Sequence, residues 1–157
     1  MKYFSFVAAF VALTLSQPVA ANNRPGIVSG DRLISGSVFL NNLSGSGTLE
    51  IQGGFERVLG SGNSSIGLGL ALAGSSNAST FALAPFYNYW FNPSGPVSGY
   101  VGGGLLLLDG IALFNAGGGG IFWITENAGI RPEAGLLFGT NGGGFILNTS
   151  ALLTIKI

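Results

Sequence analysis

Large and small side chains alternate along much of this chain. "SIGLGLALAG" sets Ile66, Leu68, Leu70 and Leu72 against Gly67, Gly69, Ala71 and Ala73. "AGIRPEAGLLFG" sets Ala128, Ile130, Pro132, Ala134, Leu136 and Phe138 against Gly129, Arg131, Glu133, Gly135, Leu137 and Gly139. "GFILNTSALLTIKI" sets Phe145, Leu147, Ala151, Leu153, Ile155 and Ile157 against Asn148, Ser150, Thr154 and Lys156. A period of two is the signature of a strand. Helix is disfavoured: the chain holds 28 glycines, and each costs a helix about 1 kcal/mol relative to alanine.

Clusters of Gly, Asn, Ser and Asp cut this pattern at Asn42–Gly47, Gly60–Ser64, Ser75–Ser79, Asn92–Gly95, Asp109-Gly110, Thr125–Asn127 and Asn141–Gly143. They leave eight segments, at 32–41, 48–59, 65–74, 80–91, 96–108, 111–124, 128–139 and 144–156. Each is close to or above the roughly 9–11 residues that a tilted membrane strand requires. Asp109-Gly110 suits a two-residue hairpin.

The composition of the two faces decides which way they point. A soluble sandwich or barrel would bury the large face and wet the other, yet here the other face is mostly Gly, Ala and Ser. Only 8% of the chain is charged and 47% is hydrophobic, where a soluble domain carries about 25% charge. Small side chains fit the cramped inside of a narrow closed barrel, and large ones suit lipid. Closure follows from the same premise, because hydrocarbon leaves an unpaired strand edge unsatisfied. The expected fold is an all-β, eight-stranded, antiparallel up-and-down transmembrane β-barrel with short turns and loops. On that topology Phe55, Tyr89, Phe91, Tyr100 and Phe122 form one aromatic belt, and Phe39, Phe81, Phe114, Phe138 and Phe145 the other.

The first stretch reads as a targeting signal. Lys2 precedes an apolar run from Tyr3 to Leu15, Pro18 breaks it, and Val19-Ala20-Ala21 supplies small residues for cleavage. The run is too short for a spanning helix. Cleavage after Ala21 would leave 22–157 as one barrel domain with five basic and six acidic groups. A charge near zero gives nucleic acid no electrostatic footprint.

Two stretches carry a resemblance: "FALAPFYNYWFNPSGPVSGYVGGGL", and "AGGGGIFWITENAGIRPEAGLLF" with its glycine strand, Thr-Glu-Asn turn and strand bearing an arginine and an acid. Over about residues 80–157 the chain resembles the bacterial outer-membrane β-barrel family of the OmpA/OmpX type. The resemblance implies residence in the bacterial outer membrane and contact with its lipid. It also implies handling by periplasmic chaperones and by the barrel insertion machinery. Two features depart from the family pattern. Members commonly end in Phe or Trp, whereas this sequence ends in Ile157, and they tend to carry longer outer loops.

Little chemistry is available. The sequence contains no cysteine and no histidine, which removes disulfides, zinc sites and every histidine-based triad. The barrel-type acylases, phospholipases and proteases of this architecture depend on histidine, so no enzymatic activity, cofactor or metal is expected. "GGGG" at 117–120 is followed by Ile121-Phe122, not by the Lys and Ser/Thr of a phosphate loop. The inward polar candidates are Glu50, Gln52, Glu56, Asn88, Asn115, Arg131, Glu133, Asn148 and Lys156. They read either as a narrow ion path or as an ion-pair network that plugs the lumen. The plug is favoured because eight strands leave width only for side chains. Pro85 and Pro132 each forfeit a ladder bond, so a bulge or register change is expected at both.

The functional reading is a small outer-membrane barrel with a structural, envelope role and at most a narrow, porin-like leak. A soluble secreted barrel that binds an apolar ligand, a glycine-rich β-fibre subunit and a two-helix hairpin over 97–124 remain as alternatives.

Overall fold

A computed structural model of the chain describes residues 26–41, 48–74, 78–139 and 145–157. The expected targeting segment 1–21 lies outside the described residues, as do most of the turns expected at 42–47, 75–79 and 141–143. Eight strands follow one another: β1 Arg32–Asn41, β2 Thr48–Leu59, β3 Ser64–Gly74, β4 Ser79–Phe91, β5 Val97–Leu108, β6 Ile111–Trp123, β7 Ala128–Gly139 and β8 Phe145–Lys156. Each end falls within one residue of the segment read from the alternation. The sheet is a closed barrel in which every strand pairs antiparallel with its sequence neighbours. A helical hairpin over 97–124 is thereby overturned: that stretch is β5 and β6, joined by Asp109 and Gly110 at φ 44° and 85°. Two successive positive φ values give the hairpin turn whose twist matches the flanking strands.

We call the end that carries Ile157 and the turns at 60–63, 92–96 and 124–127 the base, and the opposite end the rim. Pairing around the barrel is uneven. β5 and β6 are zipped along their whole length, from Val97↔Phe122 to Leu108↔Ile111. The closing ladder between β1 and β8 holds four pairs, from Leu33↔Lys156 to Gly36↔Leu153, and stops there.

No register change accompanies either proline. β3 and β4 pair without a break through Leu68↔Pro85, and β7 and β8 through Pro132↔Ala151. On the other side of each proline the ladder skips a short stretch and resumes in the same register. In β4–β5 the skip lies between Leu83↔Leu107 and Phe86↔Gly104, and in β6–β7 between Gly119↔Glu133 and Phe122↔Ile130. The expected bulges are therefore replaced by gaps. Proline lacks the N–H that the ladder needs, and a glycine on the neighbouring strand, opposite the residue after each proline, lies close to the proline carbonyl. A Cβ at Gly104 would lie 2.2 Å from the Pro85 carbonyl oxygen, and one at Gly119 would lie 2.3 Å from that of Pro132. The backbones approach as they do only because neither glycine has a side chain.

The large face points out all the way round. Leu68, Phe81, Val101, Phe114, Ile130 and Leu153 are all exposed, while Arg131 and Lys156 on the alternate face are 5% and 4% exposed. Phe55, Tyr89, Phe91 and Phe122 stand outward near the base, and Phe81, Phe114, Phe138 and Phe145 near the rim. The side chain of Phe39 lies outside the described set. Tyr100 leaves the belt assigned to it: it points inward and is 6% exposed.

The inward face is also less uniform than the alternation suggested. At the base Ile27, Leu33, Val58, Trp90, Tyr100 and Ile121 form a buried apolar cluster with Trp123 packed against it. Above it the inward positions include the small Gly69, Ala71, Ala84, Gly102 and Gly117, with Leu106 and Leu137 lining the opening nearer the rim. Phe86 lies over Gly67, where a Cβ would meet its Cζ at 2.2 Å. The barrel thus has a packed base beneath a roomier upper lumen.

Candidate functional site

The polar side chains of the lumen gather where the packed base meets the open part. Glu56 of β2 is 2% exposed. Its Oε2 accepts a hydrogen bond from Nη1 of Arg131, on β7, at 2.7 Å. Its Oε1 accepts from Ser65 Oγ and, at 2.9 Å, from Asn88 Nδ2. Ser65 Oγ in turn accepts from Trp90 Nε1 at 2.8 Å. Strand alternation explains this convergence. Glu56, Ser65, Asn88 and Arg131 are each the inward member of their local pair, and β2, β3 and β4 are successive neighbours.

Arg131 joins this carboxylate to a second one. Its Nε donates to Tyr100 Oη at 3.1 Å, and that hydroxyl donates to Glu133 Oε2 at 2.5 Å. Glu133 also accepts from Ser150 Oγ at 2.9 Å. The guanidinium carbon lies 4.3 Å from the centre of the Tyr100 ring and 5.5 Å from that of Trp90. Cation and ring faces attract, so Arg131 is held by two carboxylates and two aromatic faces together. Burying a charge is tolerable only when it is paired and its hydrogen-bonding capacity is filled. Here each buried charge has several partners, from five strands.

Beneath the network the base is closed a second time. Residues 26–31 cross under the lumen, with Ile27 buried at 1% exposure and its N–H bonded to the Pro93 carbonyl at 2.5 Å. Lys156 Nζ donates to the Gly26 carbonyl at 2.9 Å and lies 5.4 Å from the Trp123 ring centre. Trp123 Nε1 donates to Ser98 Oγ, which donates to the Pro93 carbonyl. Ser35 and Thr154 share a further buried hydrogen bond at 2.8 Å. This layer joins the strap, the 92–96 turn and the last strand into one floor.

Above the network lies a cavity of about 200 Å³. That is space for about six or seven waters at their liquid volume. Glu133 faces it with 31% of its side chain exposed. Gln52, Asn115 and Asn148 line it as well. Gln52 Nε2 donates to Glu50 Oε1, so the two higher residues of β2 pair with each other and stay apart from Glu56. Of the residues singled out in the sequence, Glu56, Asn88, Arg131 and Glu133 meet in one network. Glu50 and Gln52 form a separate pair, Asn115 and Asn148 sit higher in the cavity wall, and Lys156 belongs to the floor.

Sequence reasoning missed Ser65, Tyr100, Trp90 and Ser150. The signal was present, since Tyr100 has the parity of Gly102 and Gly104, and Trp90 that of Asn88. Reading those parities strictly would have turned both rings inward.

The network can hold a plug in place. Its hydroxyls donate to carboxylates, Ser65 to Glu56 and Tyr100 and Ser150 to Glu133. Comparison with protein-family models, with curated proteins and with solved structures finds no match for this chain.

Proposed function

We propose that this chain is an integral outer-membrane β-barrel protein with a structural role in the envelope and a lumen closed at its base. The observation that carries the reading is an inverted charge distribution. Among the described residues, Glu50, Glu56, Arg131, Glu133 and Lys156 lie on inward strand positions, and Asp31, Asp109 and Glu126 lie outside the strands. The outward strand positions carry only Arg32 and Arg57, directly opposite each other at the base. Above them the exposed large side chains of the wall are Leu, Ile, Val, Phe and Tyr, with Gly, Ala and Pro between them and Thr149 outward near the rim. An exposed apolar patch on a soluble monomer rarely exceeds a few hundred Å², whereas a spanning barrel needs such a band on all sides. The short leader-like segment fits export, and lipid, chaperones and the insertion machinery are the partners this reading implies.

Extraction tests the placement. The chain should stay with membranes through alkaline carbonate wash, require detergent for release, and show heat-modifiable mobility on a gel. Release without detergent would overturn the reading in favour of a soluble barrel. Conductance tests the closed lumen. Planar bilayers with the wild-type chain should stay closed, and Arg131→Ala should introduce leak by unseating the network. Steady wild-type conductance would overturn the plug.

A further inference from the structure

The closing seam of the barrel is half open. Beyond Gly36↔Leu153, among the described residues, Ser37–Asn41 pair with β2 alone and Phe145–Leu152 with β7 alone. The free stretch of β8 is correspondingly bare on both faces. Phe145, Ile146 and Leu147 are 68%, 62% and 67% exposed, although Ile146 has the inward parity. Val38, across the gap, is 65% exposed. On the membrane reading, from which this inference proceeds, these two backbone edges lie toward the rim end of the apolar band. Hydrocarbon cannot satisfy their N–H and C=O groups, so a strand must.

We propose that a second copy of this chain closes the seam, with β1 of each protomer pairing with β8 of the other. Three features select this partner. Both copies share one orientation in a bilayer, so β1–β1 or β8–β8 contact would be parallel. Only β1 against the partner's β8 keeps the antiparallel pairing of every other ladder. A two-fold axis along the membrane normal then fills both free edges at once, as an isologous interface must. Finally, the β1–β8 ladder within each chain already sets the register. Extended past Gly36↔Leu153, it places Ser37 opposite Leu152 and Val38 opposite Ala151. In that register Val38 and Ala151 share the outward parity, and Ser37 and Leu152 the inward one. The buried Ser37 Oγ, which has no hydrogen-bond partner within the chain, comes to lie beside the joint.

Cross-linking tests the joint. The sequence has no cysteine, so any disulfide is an introduced one. Directly opposed antiparallel residues lie about 4.5–5.5 Å apart at Cα, within disulfide reach. Chains carrying Val38→Cys are co-expressed with chains carrying Ala151→Cys, and membranes are oxidised before heat-modifiable mobility confirms folded barrels. The expected result is a covalent dimer from the mixture, at least several-fold above either variant alone. The double variant in one chain, diluted with wild type, should lose that dimer without gaining an internal bond. An internal disulfide with no mixed dimer would show that each monomer zips its own seam, and would overturn the proposal. Absence of both bonds in folded barrels would overturn it too. Carbonate wash of the same membranes separates this failure from that of the membrane reading. Protein that stays in the pellet without dimer defeats only the joint, and protein that leaves the pellet defeats both.

Discussion

Arg131 and Glu56 meet at 2.7 Å across the lumen although 75 residues separate them in the chain. Both side chains are nearly inaccessible, at 6% and 2% exposure. Their contact ties β7 to β2, strands that share no ladder, and so braces the barrel across its width. Removing Arg131 leaves Glu56 buried with no counter-charge, at a typical cost of about 3–5 kcal/mol. Arg131→Ala should therefore lower the urea midpoint in lipid vesicles by that equivalent. Replacing both, as Glu56→Gln with Arg131→Met, should recover a large part of the loss. Equal losses in single and double variants would show that the pair is not what braces the two strands.

The glycines that approach the proline carbonyls should tolerate no side chain. Gly104→Ala and Gly119→Ala each drive a Cβ into a proline carbonyl, and overpacking of this kind costs about 1–3 kcal/mol. Gly54→Ala makes a useful contrast. Its nearest neighbours would lie at 3.7 and 3.9 Å, ordinary van der Waals distance. Its effect should stay within about 0.5 kcal/mol, as for other unobstructed sites. Unfolding curves of the three variants under one set of conditions compare them directly.

If the outer wall faces lipid as proposed, depth along it should govern the cost of a new charge. Leu70 stands outward in the middle part of β3 and Val97 at the first residue of β5, on the base edge. Arginine on the lipid face costs about 2–4 kcal/mol at the midplane and about 0–1 near the interface. Leu70→Arg should thus be far more damaging than Val97→Arg when folding into vesicles is titrated with urea. In a soluble barrel the two would be alike.

The strap beneath the lumen should have a measurable anchor. Ile27 is buried against the base cluster, and truncation of a buried Ile to Ala costs about 2–5 kcal/mol. Ile27→Ala should loosen the base, with a red-shifted tryptophan emission and a lower unfolding midpoint by that probe. An unchanged spectrum would mean that the strap does not contribute to base packing.

Strand limits were legible because the information is local. Turn residues such as Asp109-Gly110 and the small–large alternation of 65–74 need no knowledge of distant contacts. The parity of Arg131 and Glu133 was equally readable. Their partners were not, because pairing Glu56 with Arg131 depends on the stagger accumulated around five intervening ladders. Tyr100 was misplaced for a different reason. A ring near a strand end was weighed by its height along the strand, while its parity with Gly102 and Gly104 placed it inside. The half-zipped β1–β8 seam was not legible, since Val38-Phe39-Leu40 is an unbroken apolar run that says nothing of which edge finds a partner.

The inward turn of the indoles has a practical corollary. The sequence contains two tryptophans, Trp90 and Trp123, and both belong to the packed base rather than to the wall. Their fluorescence reports the packing of the base and, on the proposed membrane placement, is largely blind to when the strands reach lipid. On that placement, bilayer entry, followed by protease resistance of the strands, and closure of the base, followed by emission, should be timed as separate events in one refolding reaction.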